Sequence, residues 1–482
     1  MKHLHLLYTL LFGVAVLLFF GLAYPHHLHY QEQYQLFLFD STYVWDIVKV
    51  PGGVADLLGR FCTQFFLFAW VGAFIIAVLL SLVQLLVLRL FNGQWSMVNG
   101  QWFYGMTFVP SFLLWLFLLD ENALLGGVWA VLLTLLAIWG CMLIPKVWVR
   151  RVAILIAIAI LYWMALGGSH YHRYPTVTPY LLYAAWLSAV ILILSEKVIV
   201  KSEKFAAANR TSDVLVRRLH CVPHSHLQVR EIIRFSLFTV TFIIMMMIVW
   251  KNANFKAEKV MQYDFMACHQ QWNRILATAN AEKPNNQIGV TVQNLALAMH
   301  GMLADHLFEY NQNGLLGLLP DVQSDATSPI PTAEAFYQLG MINVAQRTVF
   351  EAQEAILDFQ KSARCYKRLA QTNLINGSYE VARKYLTALQ KTLFYREWAN
   401  ETLPLLGNEE AIAKHPEYGR LRQWAYKDEF YFSDHVTPEM LESLYFSNTD
   451  NRLALEYLRA YYMLTGDRES YTKLLQELRV KN

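Results

Sequence analysis

Long apolar runs separated by short polar connections fill the first half of the chain, and a more polar half with helical periodicity follows. Each of seven runs is about as long as a membrane core of roughly 30 Å requires, and a helix at that depth satisfies its own backbone amides. The predicted membrane helices cover residues 4–24, 61–88, 103–119, 123–145, 152–168, 177–195 and 232–251. The pattern predicts an all-α protein with a seven-helix transmembrane bundle at residues 1–251 and a soluble helical domain at residues 252–482.

The last run marks the boundary between the two halves. Sixteen uncharged residues lie between Arg234 and Lys251. As a helix they cover about 24 Å, and both flanking cations can extend to the membrane surface. Because no comparable run follows, we expect residues 252–482 to lie in water.

Composition agrees with this division. The chain is 55% hydrophobic and 16% charged, against roughly 25% charged residues in a typical soluble domain. The first 251 residues contain 17 Lys or Arg and 10 Asp or Glu, a net charge of +7, whereas the remainder carries −4. A mildly acidic tail of this kind is not expected to bind nucleic acid.

The distribution of Lys and Arg among the loops predicts the orientation of the bundle. One set of alternate connections carries thirteen of these cations, and the other set carries four within the first 251 residues. Because cytoplasmic loops are enriched in Lys and Arg, we expect a cytoplasmic N-terminus and residues 252–482 on the outer side. We expect the first run to stay as an anchor, since Pro25 and His26 follow it in place of a small-residue cleavage site.

Carboxylates and imidazoles gather on the predicted outer face. The loop at residues 25–60 carries Glu32, Asp40 and Asp46, and a later loop carries His170 and Arg173. Three interpretations stay open: hydrated loop residues, a catalytic site, or a divalent metal site. The metal site would combine a carboxylate with imidazoles drawn from His26, His29, His170 and His172.

The first half resembles the multi-pass glycosyltransferases that use lipid-phosphate sugars. The similarity lies in an acidic residue about fifteen positions after the first helix, an amphipathic stretch behind it, and Gly59-Arg60-Phe61 at the entry to the second helix. In that superfamily a carboxylate of the first loop acts as base or metal ligand. The resemblance implies a transferase with room for a divalent metal, whose catalytic residues would be Asp40, Glu32, Asp46, His170 and Arg173.

No Asp, Glu or Lys lies in the interior of the seven predicted helices. Ion-coupled transporters and proton pumps normally use ionisable groups there, so ion-driven transport is disfavoured. Polar residues within the spans are expected to lie at contacts between helices. They are Gln84, Thr107, Ser111, Thr134 and Ser188.

The second half resembles tetratricopeptide repeats. Apolar residues recur at helical spacing, and Gly340, Gly377 and Gly466 fall between successive helical segments. The similarity is clearest at residues 333–396 and looser at 261–310 and 452–478. It implies stacked helix pairs with an extended face that holds peptides or proteins.

The cysteines and the standard sequence motifs give little information about the function of the protein. Of five cysteines, Cys268 and Cys365 fall on the predicted outer side, and spacing leaves their pairing open, with free thiols favoured. No nucleotide-binding loop, zinc-protease motif or hydrolase nucleophile motif occurs in a suitable context.

Over nearly its full length the chain resembles an uncharacterised family of membrane proteins of Bacteroidota. The shared features are the seven runs, the repeat-like tail, and the loop motifs Gln31-Glu32-Gln33, Pro51-Gly52-Gly53 and Gly59-Arg60-Phe61. The resemblance implies a Gram-negative inner membrane with the tail in the periplasm, and it implies no activity. We therefore expect a scaffold that needs no cofactor and binds membrane lipid and a periplasmic or envelope protein. The lipid-linked transferase is the alternative, and the sequence leaves open whether the protein is an enzyme.

Overall fold

The structure of the protein is a computed structural model. It describes residues 2–50, 52–92, 105, 107–146, 148–150, 152–153, 155–156, 159, 224–321, 329–356, 360–426 and 435–481. Across these ranges the regular structure is helical and no residue lies in a β-strand. The all-α prediction is confirmed for this part of the chain.

The chain forms two compact units. The first unit comprises Met1–Gln31 and Ser41–Phe255, and the second unit comprises Glu32–Asp40 and Lys256–Asn482. The chain therefore passes from one unit to the other three times. The sequence predicts residues 32–40 as part of a loop of the membrane bundle, whereas they belong to the same compact unit as the tail.

The first unit is built from eight helices with described bounds. They are α1 (Lys2–Leu18), α2 (Pro25–Glu32, whose last residue belongs to the second unit), α3 (Ser41–Val48), α4 (Gly53–Thr63), α5 (Ala69–Asn92), α6 (Val109–Phe117), α7 (Leu125–Met142) and α8 (His224–Asn252). A π-helical turn, Phe19–Ala23, prolongs α1.

Three of these helices are long and apolar enough to cross a membrane. The candidate spans are Leu6–Ala23, Ala69–Leu90 and Leu125–Met142. A fourth is present if Phe238–Asn252 and the following helix Phe255–Cys268 form one span. Apolar side chains on these helices remain exposed, among them Leu10, Leu22 and Phe74, as helices in contact with lipid require. These features indicate a membrane protein.

The second membrane helix begins eight residues later than the sequence predicted. Phe61 belongs to the end of α4, and a 3-10 turn at Gln64–Leu67 separates that helix from α5. Phe68, in an extended conformation, completes the break. Because this stretch is almost uniformly apolar, hydropathy alone does not reveal that its backbone changes direction.

Among the remaining predicted spans, one contains only a short described helix and two lie almost entirely outside the described residues. Within predicted span 103–119 the described helix is α6, whose nine residues cover about 14 Å and cannot cross a membrane core alone. Its start fits Pro110 in the first turn, where the missing amide proton costs nothing. Predicted spans 152–168 and 177–195 lie outside the described residues, apart from a few positions before residue 160.

Polar side chains join the apolar helices from within. The Thr9 hydroxyl donates to Gln84 Oε1 at 2.7 Å, and Gln84 Nε2 donates to Thr107 Oγ1 at 3.2 Å. Ser111 donates to the carbonyl of Leu80 at 2.9 Å. The predicted role in helix contacts is confirmed for Gln84, Thr107 and Ser111. Thr134 is 2% exposed, and its hydroxyl donates to the carbonyl of Ala130 in its own helix, whereas Ser188 lies outside the described residues.

The second unit is a succession of shorter helices. They are α9 (Phe255–Cys268, which begins at the unit boundary), α10 (Trp272–Glu282), α11 (Gln287–Met299), α12 (Leu303–His306), α13 (Gly314–Leu318), α14 (Pro329–Leu339), α15 (Ile342–Ala355), α16 (Ala363–Ile375), α17 (Tyr379–Leu389), α18 (Arg396–Thr402), α19 (Glu409–Lys414), α20 (Tyr418–Trp424), α21 (Pro438–Ser447), α22 (Arg452–Thr465) and α23 (Arg468–Lys481). Three of the connections are the glycine turns that the sequence predicted, with positive φ at Gly340, Gly377 and Gly466.

Gly340 shows why this residue type is needed at such a turn. Its φ is +92°, and a Cβ atom would lie 2.9 Å from Cβ of Trp424. Any larger residue would therefore be strained in the backbone and would collide with α20. The turn lets α14 and α15 pack as a pair, with Phe336, Leu339 and Ala345 buried in the main core of this unit.

A glycine-to-alanine change at the contact between α4 and α7 should destabilise the first unit. A Cβ atom on Gly59 would lie 2.4 Å from the backbone nitrogen of Gly126, whereas nothing lies within 4 Å of a Cβ atom on Gly140. Gly59→Ala is expected to cost about 1 to 3 kcal/mol through overpacking. Thermal unfolding in detergent checks this. Gly140→Ala is the matched control, and equal melting temperatures for the two variants would contradict the close helix approach.

Candidate functional site: a segment-binding surface on the second unit

Residues 32–40 are bound to the helices of the second unit through the main chain. The amide of Leu36 donates to the carbonyl of Lys361 at 2.7 Å, and the amide of Phe39 donates to the carbonyl of Lys391, also at 2.7 Å. Beyond the turn at residues 33–34 the segment is non-helical. These bonds are independent of side-chain identity and satisfy amides that no helix pairs.

Apolar side chains of the segment complete a small core of the second unit. Leu36 is 7% exposed, and Leu38 packs beside it. The surrounding residues come from α16, α17, α18 and the turn after α18, and they are Ala363, Tyr366, Ala370, Tyr385, Leu386, Leu389, Tyr395, Trp398, Ala399, Leu403 and Leu406. Small alanines on the helices leave the space that the leucines fill. Main-chain bonds combined with buried side chains are the way in which proteins bind short polypeptides.

A carboxylate holds each end of the segment. Asp40 Oδ2 forms a salt bridge of 2.5 Å with Lys391 Nζ, and both side chains are partly exposed. At the other end, the hydroxyl of Tyr395 donates to the Glu32 carboxylate, at 3.3 Å from Oε1. Exposed ion pairs contribute little to stability. The buried hydrogen bond between Tyr395 and Glu32 is therefore expected to affect the stability of the contact more than the salt bridge of Asp40 does.

Burial has the largest effect on the pKa of Glu32. The residue is 6% exposed, and loss of hydration raises the pKa of its carboxyl to about 7, opposed in part by the Tyr395 hydrogen bond and the charge of Arg364. A carboxyl group with this pKa carries a proton for part of the time at neutral pH. Such a group is a candidate general acid or base where a substrate can reach it.

Two buried ion pairs lie in the same unit. Arg364 forms a bidentate pair with Asp264, with nitrogen–oxygen distances of 2.5 and 2.8 Å. Arg368 forms a 2.5 Å pair with Glu334, and its guanidinium lies 3.6 Å from the centre of the Tyr337 ring. Each arginine is neutralised by its own carboxylate. Neither guanidinium is therefore left to bind an external anion.

Three of the five sequence-predicted catalytic residues lie in the described part of the chain. Glu32 and Asp40 belong to the second unit, whereas Asp46 lies on α3 of the first unit. Asp46 is exposed and forms a 2.5 Å salt bridge with Lys49, as a hydrated loop residue would. His170 and Arg173 lie outside the described residues.

The described residues give little support to the interpretation of a metal site. His26 and His29 are neighbours on α2, with ring centres 5.7 Å apart, and His170 and His172 lie outside the described ranges. Among the residues that were described, no group of three His, Cys, Asp or Glu side chains is arranged to hold a metal ion. Cys268 and Cys365 are free thiols.

Sequence reasoning missed the residues that hold the segment. Lys361 and Lys391 act through their backbone carbonyls, and Tyr395 acts through its hydroxyl. The Lys391 to Asp40 and Tyr395 to Glu32 contacts join positions 351 and 363 residues apart. No local pattern encodes pairs at that separation. The only signal in the sequence was a loop too apolar, at residues 36–39, to lie free in water.

Leu36→Ala should weaken the second unit. Removing a buried leucine side chain typically costs about 2 to 5 kcal/mol because a cavity remains. The apparent melting temperature of the purified protein in detergent should therefore fall by several degrees. Phe39→Ala is the matched control, since Phe39 belongs to the same segment and is 46% exposed. Equal losses in the two variants would contradict the binding of Leu36 in the helical core.

Glu32→Gln should reduce the pH dependence of stability. Because the folded pKa of about 7 exceeds the ordinary 4.5, the folded state holds this proton more tightly than the unfolded state. The stabilising contribution is full below about pH 4.5 and is lost as the pH rises through 7. Wild-type protein should lose up to about 3 kcal/mol between pH 4.5 and pH 8 from this group, and the variant should not.

Thermal unfolding at the two pH values measures this loss. Glu354→Gln is the control, at a carboxyl of the same unit whose side chain is 48% exposed. If both variants kept the wild-type difference in melting temperature, the environment inferred for Glu32 would be wrong.

Comparison with known proteins gives one family. The model of a family described as a family of unknown function, DUF6057, matches residues 1–482 and so covers both compact units. No curated protein and no solved structure matches the chain. The match agrees with the predicted resemblance to an uncharacterised family that spans the chain. The protein is a member of the DUF6057 family, whose function is unknown.

Proposed function

We propose that this protein is a multi-pass inner-membrane scaffold whose helical second unit binds polypeptide partners in the bacterial envelope. The observation that carries the proposal is the binding of residues 32–40. The second unit holds a non-helical segment through two main-chain hydrogen bonds and a core of small and aromatic side chains. A surface that binds one short segment in this way has the chemistry needed to bind another. The glycine turns at Gly340, Gly377 and Gly466 support a tetratricopeptide-like arrangement.

The shared compact unit restricts the number of membrane crossings, and the predicted topology of seven crossings meets this restriction if residues beyond α6 complete the crossing at 103–119. Residues 32–40 follow the first apolar helix and share a compact unit with residues 256–482. A single compact unit lies on one side of a membrane, so the number of crossings between residues 40 and 256 is even. The prediction of seven crossings has six in that interval. With the N-terminus in the cytoplasm, as the loop charges favour, both parts of the second unit lie in the periplasm.

Cysteine labelling tests this topology. In a background without the native cysteines, Phe39→Cys and Phe308→Cys introduce exposed thiols at positions that are 46% and 68% exposed. An impermeant maleimide added to intact spheroplasts should label both. Cys221, kept alone as the control, should react only after permeabilisation. Labelling of positions 39 and 308 on opposite sides would contradict the shared unit, and protection of both with exposure of Cys221 would invert the orientation.

Association with a partner tests the scaffold function. We expect C-terminally tagged protein, purified in mild detergent, to retain an envelope protein in stoichiometric amount. Deleting residues 252–482 should abolish this association and the cellular phenotype of the protein. Asp40→Asn should leave both intact, because Asp40 contributes only a partly exposed salt bridge. A protein that purified alone under conditions preserving the fold would contradict the scaffold.

A lipid-linked transferase is the second candidate function. The observation that favours it is Glu32, a buried carboxyl whose pKa of about 7 suits proton transfer. In this alternative Asp40 acts as the catalytic carboxylate, as the resemblance to lipid-phosphate-sugar transferases implies. Loss of the cellular phenotype in both Asp40→Asn and Glu32→Gln, with normal stability and normal partner binding, would favour the transferase over the scaffold.

A further inference from the structure

A second groove lies on α15, α16 and α17, beside the site that holds residues 32–40. It encloses about 470 Å³, within the size range of ligand-binding clefts. Asn343, Gln346 and Phe350 line it from α15, Asn373 from α16, and Val381 and Tyr385 from α17. All of these residues belong to the second unit.

The two sites share a wall. Tyr385 lines the groove, packs in the cluster around Leu36, and contacts Tyr366 edge-to-face with ring centres 5.0 Å apart. On its other side Tyr385 packs against the cluster formed by Val349 and Leu369. The groove and the surface that binds residues 32–40 therefore share the side chain of Tyr385.

Side-chain amides form the polar part of the groove. Gln346 Nε2 donates to Asn373 Oδ1 at 3.3 Å. Asn376 Nδ2 donates to Asn343 Oδ1 at 2.8 Å and to Gln346 Oε1 at 3.0 Å. These bonds fix the orientation of the amides. Each amide has two N–H donors and a carbonyl acceptor with two lone pairs, so the row can pair with the alternating donors and acceptors of a polypeptide backbone.

Apolar side chains stand at the mouth of the groove. Phe350 is 51% exposed and Val381 is 41% exposed. Among the described residues that line the groove, Arg347 alone is charged, so a strongly basic ligand is disfavoured. An amide row with exposed apolar groups matches a segment that combines Gln with Leu or Phe, which is the composition of the bound segment at residues 33–39.

We propose that this groove binds a short non-helical segment of a partner polypeptide, rich in apolar and amide side chains. The proposal rests on the proposed scaffold function and names the place and the ligand class for it. The partner's backbone pairs with the amides of Asn343 and Gln346, and its leucine or phenylalanine side chains contact Phe350 and Val381. A lipid acyl chain could not pair with the N–H groups and lone pairs that the amides leave unused among themselves, which disfavours lipid as the occupant.

A photo-crosslinking peptide tests the groove in the full-length protein. The probe is a synthetic peptide with the sequence of residues 33–39, one leucine replaced by its diazirine analogue, and two C-terminal glutamates for solubility. We expect saturable crosslinks to α15 and α17, located by mass spectrometry. Phe350→Ser and Val381→Ser should each weaken binding by about tenfold. Both positions are exposed, so the fold is expected to survive.

Phe308→Ser is the matched control, because Phe308 is 68% exposed and does not line the groove. Unchanged affinity in both groove variants, or no crosslink at all, would overturn the proposal. Crosslinks near Lys361 and Lys391 would mean that the peptide exchanges with residues 32–40. That result would contradict peptide binding in the second groove, but it would agree with the proposed polypeptide-binding function of the second unit. Displacement of the peptide by a fatty acid at equal concentration would assign the groove to lipid and also overturn the proposal.

Discussion

Two main-chain hydrogen bonds, from Leu36 to Lys361 and from Phe39 to Lys391, tie a segment near the N-terminus into the helical unit formed by the end of the chain. Both ends of that segment are covalently joined to the first unit, so the two units cannot be regarded as a bundle followed by an independent tail. Residues 256–482 alone would expose the alanine-rich surface that Leu36 covers. For a chain that crosses a membrane, the same bonds require the segment and the tail to lie on one side.

The buried charges of the second unit are organised by pairing. Arg364 with Asp264 and Arg368 with Glu334 are close pairs with little exposure, and such pairs add little net stability because both charges lose their hydration. Breaking one would leave a single buried charge, which costs several kcal/mol, so the pairs restrict how α9, α14 and α16 can pack. Glu32 is different, because it meets a hydroxyl instead of a cation at hydrogen-bonding distance. Its charge is therefore the least well compensated in this part of the unit, and its pKa is raised.

Each carboxylate of the first loop that the sequence suggested as catalytic has a partner within the chain. Asp40 pairs with Lys391, Asp46 with Lys49, and Glu32 accepts from Tyr395. What distinguishes the second unit is instead its ability to hold non-helical polypeptide between small residues and aromatic rings. Helical-repeat surfaces use this combination because a row of helices offers regularly spaced side chains along an extended face. The proposed scaffold function rests on this surface and requires no catalytic cluster.

The sequence by itself determined the features that depend on local pattern. The length of the apolar runs identified α1, α5, α7 and α8, because hydropathy is a property of neighbouring residues. Glycine between periodic segments located the turns at Gly340, Gly377 and Gly466, because glycine adopts positive φ. Polar residues within apolar helices pointed to the helix contacts of Gln84, Thr107 and Ser111 in the same way. Only the tertiary structure decided the break at Gln64–Leu67 within an apolar run, and the membership of residues 32–40 in the second unit. The placement of residues 32–40 depends on backbone pairing and side-chain fit between positions hundreds of residues apart, which no local periodicity records. The break is a change of backbone direction within an apolar run, which hydropathy does not record.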